Sequence, residues 1–157
     1  PDYEFKIGKG EILKSAKIKD FRDTKNPKDF LVESKDAVIF ASGTLVHESL
    51  KASEILENED IKVYVVNIHT IKPLDDNLII NLAKKTNCVI TAEDHNVIGG
   101  LGGAIAEVLS ENYPCIIKRI GLQDRYAESG KPDELYKKYG LDAESIAEEV
   151  VKVVKKK

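Results

Sequence analysis

The sequence predicts an α/β fold, a mostly parallel sheet with helices on both faces, and three observations predict it. Four short, continuous apolar runs lie between Ala37 and Ile120. The stretches between them carry apolar residues at helical spacing. The chain has 157 residues, a single-domain length able to bury one substantial core. A parallel pair of strands needs a crossover, most often a helix, so this alternation points to a parallel sheet.

The first run is Ala37-Val38-Ile39-Phe40-Ala41, apolar on both faces as a covered parallel strand is. Ser42-Gly43-Thr44 then turns into a helix through Asn58, with Leu45, Ala52, Ile55 and Leu56 on one side. Val63-Tyr64-Val65-Val66 is the second strand. Asp75 caps a helix through Lys85, whose Leu78, Ile79 and Leu82 form a stripe. Val89-Ile90-Thr91-Ala92 is the third strand, followed by a glycine-rich turn and a helix from about Gly102 to Asn112. The fourth strand runs from Cys115 to Ile120. A short helix, Leu135 to Tyr139, stops at Gly140. The last helix starts at Asp142, turns Ile146, Val150 and Val153 inward, and ends on lysines that suit its negative dipole end.

Residues 1–34 differ from the rest. They are charge-rich and read as an arm from a preceding domain, with a short strand near Glu11–Leu13 and a polar loop at Lys25-Asn26-Pro27. Residues 35–157 form the α/β domain. The absence of methionine and the start at Pro1 read as those of a processed or excised piece of a larger protein.

Composition excludes several classes. The net charge of −3 argues against nucleic acid or an anionic membrane as partner. No apolar run approaches the roughly 20 residues that span a bilayer, and the mixed, charged N-terminus is not a signal peptide. Cys88 and Cys115 lie in apolar stretches and read as buried thiols in a reducing, cytoplasmic compartment.

Ligands of open parallel sheets bind beyond the carboxyl ends of strands. Three segments fall there: Ser42-Gly43-Thr44, Glu93-Asp94-His95 through Gly103, and Gly121 through Gly130. Gly99, Gly100, Gly102 and Gly103 open a helix, whose free N–H groups and positive dipole end offer an anion site. The spacing is neither G-x-G-x-x-G nor a P-loop, and close packing of the helix start explains the same glycines. Glu93, Asp94 and His95 are consecutive, so their side chains diverge where an acid/base pair must converge. His47 and His69 stand on other elements, so His95 has no partners at metal-ligand spacing. Glu93 and His95 read better as structural or interdomain hydrogen-bonding groups. The segment Gly121 to Gly130 is polar and suits a junction with a neighbouring domain.

Five segments in order resemble the C-terminal domain of transketolases. They are Ala41-Ser42-Gly43, Ile71-Lys72-Pro73-Leu74-Asp75, Ala92 to His95 with Gly99 to Gly102, Asp124 to Gly130, and Tyr139-Gly140-Leu141. Tyr3, Phe5 and Ile7-Gly8-Lys9-Gly10 resemble that family's approach from the preceding domain. A Lys-, Ile- and Asn-leaning composition points to an archaeal or low-GC source, and the resemblance extends to the archaeal-type split transketolases.

The resemblance implies a three-layer α/β/α domain with a five-stranded mixed sheet, the strand near Glu11–Leu13 being antiparallel. It also implies a thiamine diphosphate- and Mg-dependent parent enzyme of the pentose phosphate pathway, moving a two-carbon ketol unit between sugar phosphates. Cofactor and catalytic groups then lie in diphosphate-binding and pyrimidine-binding domains, and no G-D-G…N magnesium motif is found here. This chain is accordingly expected to carry no catalytic, cofactor-binding or metal residue and to support a homodimer. Ser42, Gly43, Thr44, Glu93, His95, Gly99, Gly100, Gly102, Asp124, Ser129 and Gly130 are the interdomain or anion-binding candidates. Deoxyxylulose-phosphate synthase and the beta subunit of 2-oxo acid dehydrogenases share this fold, and Ala-Glu-Asp-His with Ser-Gly favours transketolase over the latter. The alternatives from other classes are a stand-alone small-molecule or nucleotide-binding module at the glycine turn, and a hydrolase using His95.

Overall fold

The computed structural model describes residues 5–14 and 36–157. The elements in chain order are β1 (Glu11–Lys14), β2 (Ala37–Ala41), α1 (Leu45–Asn58), β3 (Val63–Asn67), α2 (Asp76–Thr86) and β4 (Cys88–Asn96). They are followed by α3 (Leu101–Asn112), β5 (Ile116–Leu122), α4 (Pro132–Tyr139) and α5 (Ala143–Val154). The sheet order is β1-β3-β2-β4-β5, with β1 antiparallel to β3 and every other pair parallel. This is the mixed, mostly parallel five-stranded sheet expected.

The chain grows from β2 to β3 in one direction, then returns across β2 to β4 and β5. Right-handed crossovers therefore put α1 on one face and both α2 and α3 on the other. One core packs Ile39, Val65, Ile90 and Ala92 against Leu45 and Leu56 of α1 and Ile146 and Val150 of α5. The other packs Val38, Phe40, Val66 and Val89 against Ile79 and Leu82 of α2 and Leu101, Ile105 and Leu109 of α3. β2 lies between them, and all five of its residues are fully buried. Its run of apolar residues without alternation is the consequence.

The helix ends follow local chemistry. Asp75 caps α2 by accepting from Leu78 N at 3.3 Å, and Asp142 caps α5 by accepting from Ser145 N at 3.1 Å. Gly140, at φ +69°, ends α4. That helix begins one turn earlier than its apolar residues suggest, at Pro132 rather than Leu135. Proline is preorganised for a first helical position, and Asp133 and Glu134 favour the positive dipole end.

Two strand boundaries differ from expectation. The fourth parallel strand is shifted, Ile116 to Leu122 rather than Cys115 to Ile120. β4 continues past Ala92 to Asn96, because its pairing with β5 is bulged rather than ended. Cys88 is buried as expected, and burial pushes its thiol up to about 11. Cys115, just before an edge strand, is only partly covered, a correction to the expectation of two buried thiols.

The described part of the arm is integral to the domain. β1 pairs with β3, and the residues before it lie across the loop after β3. Gly8 N donates to Thr70 Oγ1 at 2.9 Å and Gly10 N to Asp75 Oδ2 at 3.2 Å. A Cβ on Gly10 would come within 2.8 Å of Leu78 and Ile68, so the chain crosses here only as glycine. The polar loop at Lys25-Asn26-Pro27 and the domain boundary at residue 34 lie outside the described residues. Asp75 thus joins α2 to the arm, and Lys9 Nζ lies 3.7 Å from it. Asp75→Ala is expected to cost about 1–2 kcal/mol through the lost cap and the lost Gly10 bond. Thermal unfolding should show a Tm lower by about 5 °C.

Candidate functional site

The carboxyl ends of the parallel strands form one edge of the sheet. At its middle, between β2 and β4, the direction of strand addition reverses, which leaves a crevice there. Ser42 N continues the ladder to Ala92 O at 3.1 Å, and Gly43 turns the chain at φ +59°. Thr44 makes no side-chain cap on α1. Its hydroxyl donates instead to Asp94 Oδ2 at 2.7 Å and accepts from Tyr136 OH of α4 at 2.6 Å. The crevice is thus bridged by the protein itself.

β4 carries the next feature. Ala92 pairs with Ile120 and Asn96 with Leu122, so four steps on β4 match two on β5. The two extra residues bend β4 and separate its side chains. Glu93 turns inward and is 2% exposed, whereas Asp94 and His95 face solvent. No dyad forms.

Glu93 meets the start of α3. Leu101 N donates to Glu93 Oε2 and Gly102 N to Glu93 Oε1, each at 2.8 Å. A carboxylate at a helix N-terminus satisfies orphan amides and favours the dipole. The turn leading there is set by Asn96 Oδ1, which accepts from Ile98 N at 2.9 Å, and by Gly99 at φ +78°. Arg119 of β5 donates to Val97 O at 2.9 Å and holds the turn from below. The glycines make room for this arrangement. A Cβ on Gly100 would stand 1.9 Å from Glu93 Oε2, and one on Gly102 would stand 2.7 Å from Thr91 Oγ1. The amides that an external anion would use are already bonded to an internal one.

The polar segment after β5 is exposed from Gln123 to Glu134. Asp124 sits at φ +48°, with Asn96 Nδ2 3.5 Å from its carboxylate. Arg125 lies over the Tyr139 ring at 4.8 Å. The Glu128 carboxylate accepts from Tyr139 OH and pairs with Lys138. Lys138 first, and then Tyr139, hold that carboxyl below the usual range. Gly130 abuts Leu135, and Ser129 is exposed.

The candidates therefore fall into three groups. Gly43 and Thr44 meet Asp94, while Ser42 pairs through its backbone with Ala92. Glu93 meets Gly100 and Gly102. Asp124, Ser129 and Gly130 lie on a separate loop, with His95 and Gly99 exposed. Sequence reasoning missed Tyr136, whose partner is 92 residues away, and Arg119, which has no local signal.

Exposed large apolar residues stand among these polar groups. Phe5 (54% exposed), Ile7 (70%), Ile71 (41%), Ile98 (62%) and Tyr126 (fully exposed) all lie at the carboxyl edge. Phe5 rests on His69 with ring centroids 4.7 Å apart. Of the described large apolar residues that are exposed, only Ile116 lies at the opposite edge.

Comparison with known proteins gives the family. Residues 29–146 match the transketolase, C-terminal domain family. The chain belongs to it. A protein named as a transketolase C-terminal section, from Methanocaldococcus jannaschii, is 42% identical over 97% of this chain and 42% of its own length. A 6-deoxy-6-sulfo-D-fructose transketolase subunit from Clostridium sp. is 38% identical over 98% of this chain and 42% of its own. A 1-deoxy-D-xylulose-5-phosphate synthase from Syntrophotalea carbinolica is 45% identical over 92% of this chain but 20% of its own. Among solved structures, a split gene transketolase in an inactive beta4 tetramer superposes with a TM-score of 0.83 at 39% identity. It is covered over 99% of this chain and 45% of its own. The chain thus spans under half the length of these relatives.

Enzymes of the transketolase family use thiamine diphosphate, and the glycine-rich helix start does not fit its diphosphate. The glycine-rich helix start of this transketolase C-terminal domain presents its amides to Glu93, against which a diphosphate would be repelled. No three His, Cys, Asp or Glu side chains among the described residues are arranged to hold a metal ion. No described helix is long and apolar enough to cross a membrane.

Proposed function

We propose that this chain is the carboxyl-terminal structural section of a thiamine diphosphate-dependent enzyme that transfers a two-carbon ketol unit between sugar phosphates. In this reading it supplies no catalytic group. It docks through the carboxyl edge of its sheet onto the cofactor-binding part of the enzyme, within a homodimer or a higher assembly. The single observation that carries the reading is the gathering of Phe5, Ile7, Ile71, Ile98 and Tyr126 on that edge. Exposed apolar groups rimmed by charge mark an interaction surface rather than a small-molecule pocket. Family membership and the length of the relatives outside the matched region supply the partner.

Calorimetric titration of the chain with thiamine diphosphate and Mg is expected to give no heat of binding at micromolar concentrations. Supplying both the diphosphate-binding and the pyrimidine-binding domains of a split transketolase should then bring thiamine-dependent ketol transfer. Micromolar affinity of this chain alone for thiamine diphosphate would sink the proposal. The 45% identity to a 1-deoxy-D-xylulose-5-phosphate synthase favours a second reading of the parent reaction. Formation of that product by the reconstituted enzyme would select it.

A further inference from the structure

Helix α4 is attached to the domain differently from the other helices. No residue of α4 is fully buried. Only the rings of Tyr136 and Tyr139 pack, half-buried, on the core between α1 and α5. An open cleft of about 570 Å³, lined by Glu48, Lys51, Asp133, Lys137 and Glu148 among others, separates the helix from α1 and α5. The loop before α4 bonds mostly to the helix itself, through Arg125 over Tyr139 and Glu128 with Tyr139 and Lys138. Loop and helix therefore form one unit with little buried area of its own. Such units open at a free energy well below that of global unfolding.

A short polar chain ties this unit to the sheet, beside the longer contact of Asn96 Nδ2 with Asp124 at 3.5 Å. Tyr136 OH donates to Thr44 Oγ1 at 2.6 Å, and Thr44 Oγ1 donates to Asp94 Oδ2 at 2.7 Å. Each hydroxyl has one proton, so the direction of the chain is set by its last member, a carboxylate that can only accept. An ionised terminal acceptor strengthens both bonds. Asp94 lies on the exposed extension of β4, at the edge where Tyr126 of the same unit also faces solvent.

We propose that residues 123–140 form a strap latched to the carboxyl edge by the Tyr136–Thr44–Asp94 relay, and that engagement of Asp94 by a partner's cationic donor releases it. A cationic donor at Asp94 neutralises the carboxylate charge and so weakens the bond that Thr44 makes to it, and the strap then moves with Tyr126. The partner in this account rests on the docking proposed above. The latch itself does not, and it is tested without any partner.

Amide hydrogen exchange of the 157-residue chain reads the latch directly. Tyr136→Phe keeps the ring and removes the donor, while Thr44→Val keeps the shape and removes the relay. Both should accelerate exchange of amides in residues 125–139 by about fivefold or more, leaving amides of β2 and β4 unchanged. Thr44→Ser retains the hydroxyl and should exchange like the unsubstituted chain. Unchanged strap rates in either of the first two variants would overturn the proposal. So would an equal acceleration in β2 and β4, because the bonds would then belong to the global fold. Neither result bears on thiamine diphosphate binding, which tests the docking function separately.

Discussion

Replacing Glu93 by alanine is expected to destabilise this domain by about 3 kcal/mol. The carboxylate is 2% exposed and accepts two amides of α3 at 2.8 Å each. Removing it strands two donors at a buried helix start, where water reaches them poorly. The cost is the desolvation of those donors together with the lost attraction to the helix dipole. In a chain of this length such a loss lowers Tm by roughly 6–12 °C. Glu93→Gln should fall between, since its amide oxygen can accept one bond while its NH2 group opposes the other N–H. Thermal unfolding of both variants checks the order. A Glu93→Ala protein within about 1 kcal/mol of the parent would show that an external group, and not Glu93, caps α3.

Opposite effects are expected from two neighbouring glycines. A Cβ on Gly100 would lie 1.9 Å from Glu93 Oε2 and 2.8 Å from the backbone oxygen of Asn96. The carboxylate cannot retreat without leaving its amides, and the backbone of the turn is fixed by Asn96 and Gly99. Gly100→Ala therefore costs about 3 kcal/mol or more, comparable to losing Glu93 itself. A Cβ on Gly103 meets nothing within 4 Å, and the residue is inside a helix. Gly103→Ala should stabilise the isolated chain by about 0.5–1 kcal/mol, because alanine loses less backbone freedom on folding. Denaturant unfolding of the two variants should give midpoints displaced to opposite sides of the parent. If both move the same way, the turn is not packed as the geometry has it.

These substitutions show why the glycine-rich turn was only half legible. The residues Gly99, Gly100, Gly102 and Gly103 announced a helix start with close approach or an anion. Which of these held depended on what lies beneath the turn, and that is decided by β4. Glu93 reaches α3 because β4 carries two extra residues opposite β5. A bulge belongs to a pair of strands, so nothing in the local pattern of Thr91-Ala92-Glu93-Asp94 announces it. The same holds for the relay, whose members Thr44, Asp94 and Tyr136 are brought together by the sheet order across 50 and 92 residues.

Other features were legible because their physics is local. The apolar runs of β2 to β5 follow from strands covered on both faces, and the stripes of α1, α2, α3 and α5 from one covered side. Asp75, Asp142 and Gly140 act within a turn of their own positions, and each caps the helix the sequence assigned to it. The sequence by itself determined the strands, most of the helices, their caps and the family. Only the tertiary structure decided that the positive end of α3 is closed by Glu93 and that α4 reaches Asp94 through Thr44. Periodicity and capping depend on residues a few positions apart, whereas those two contacts depend on which strands pair and in what register.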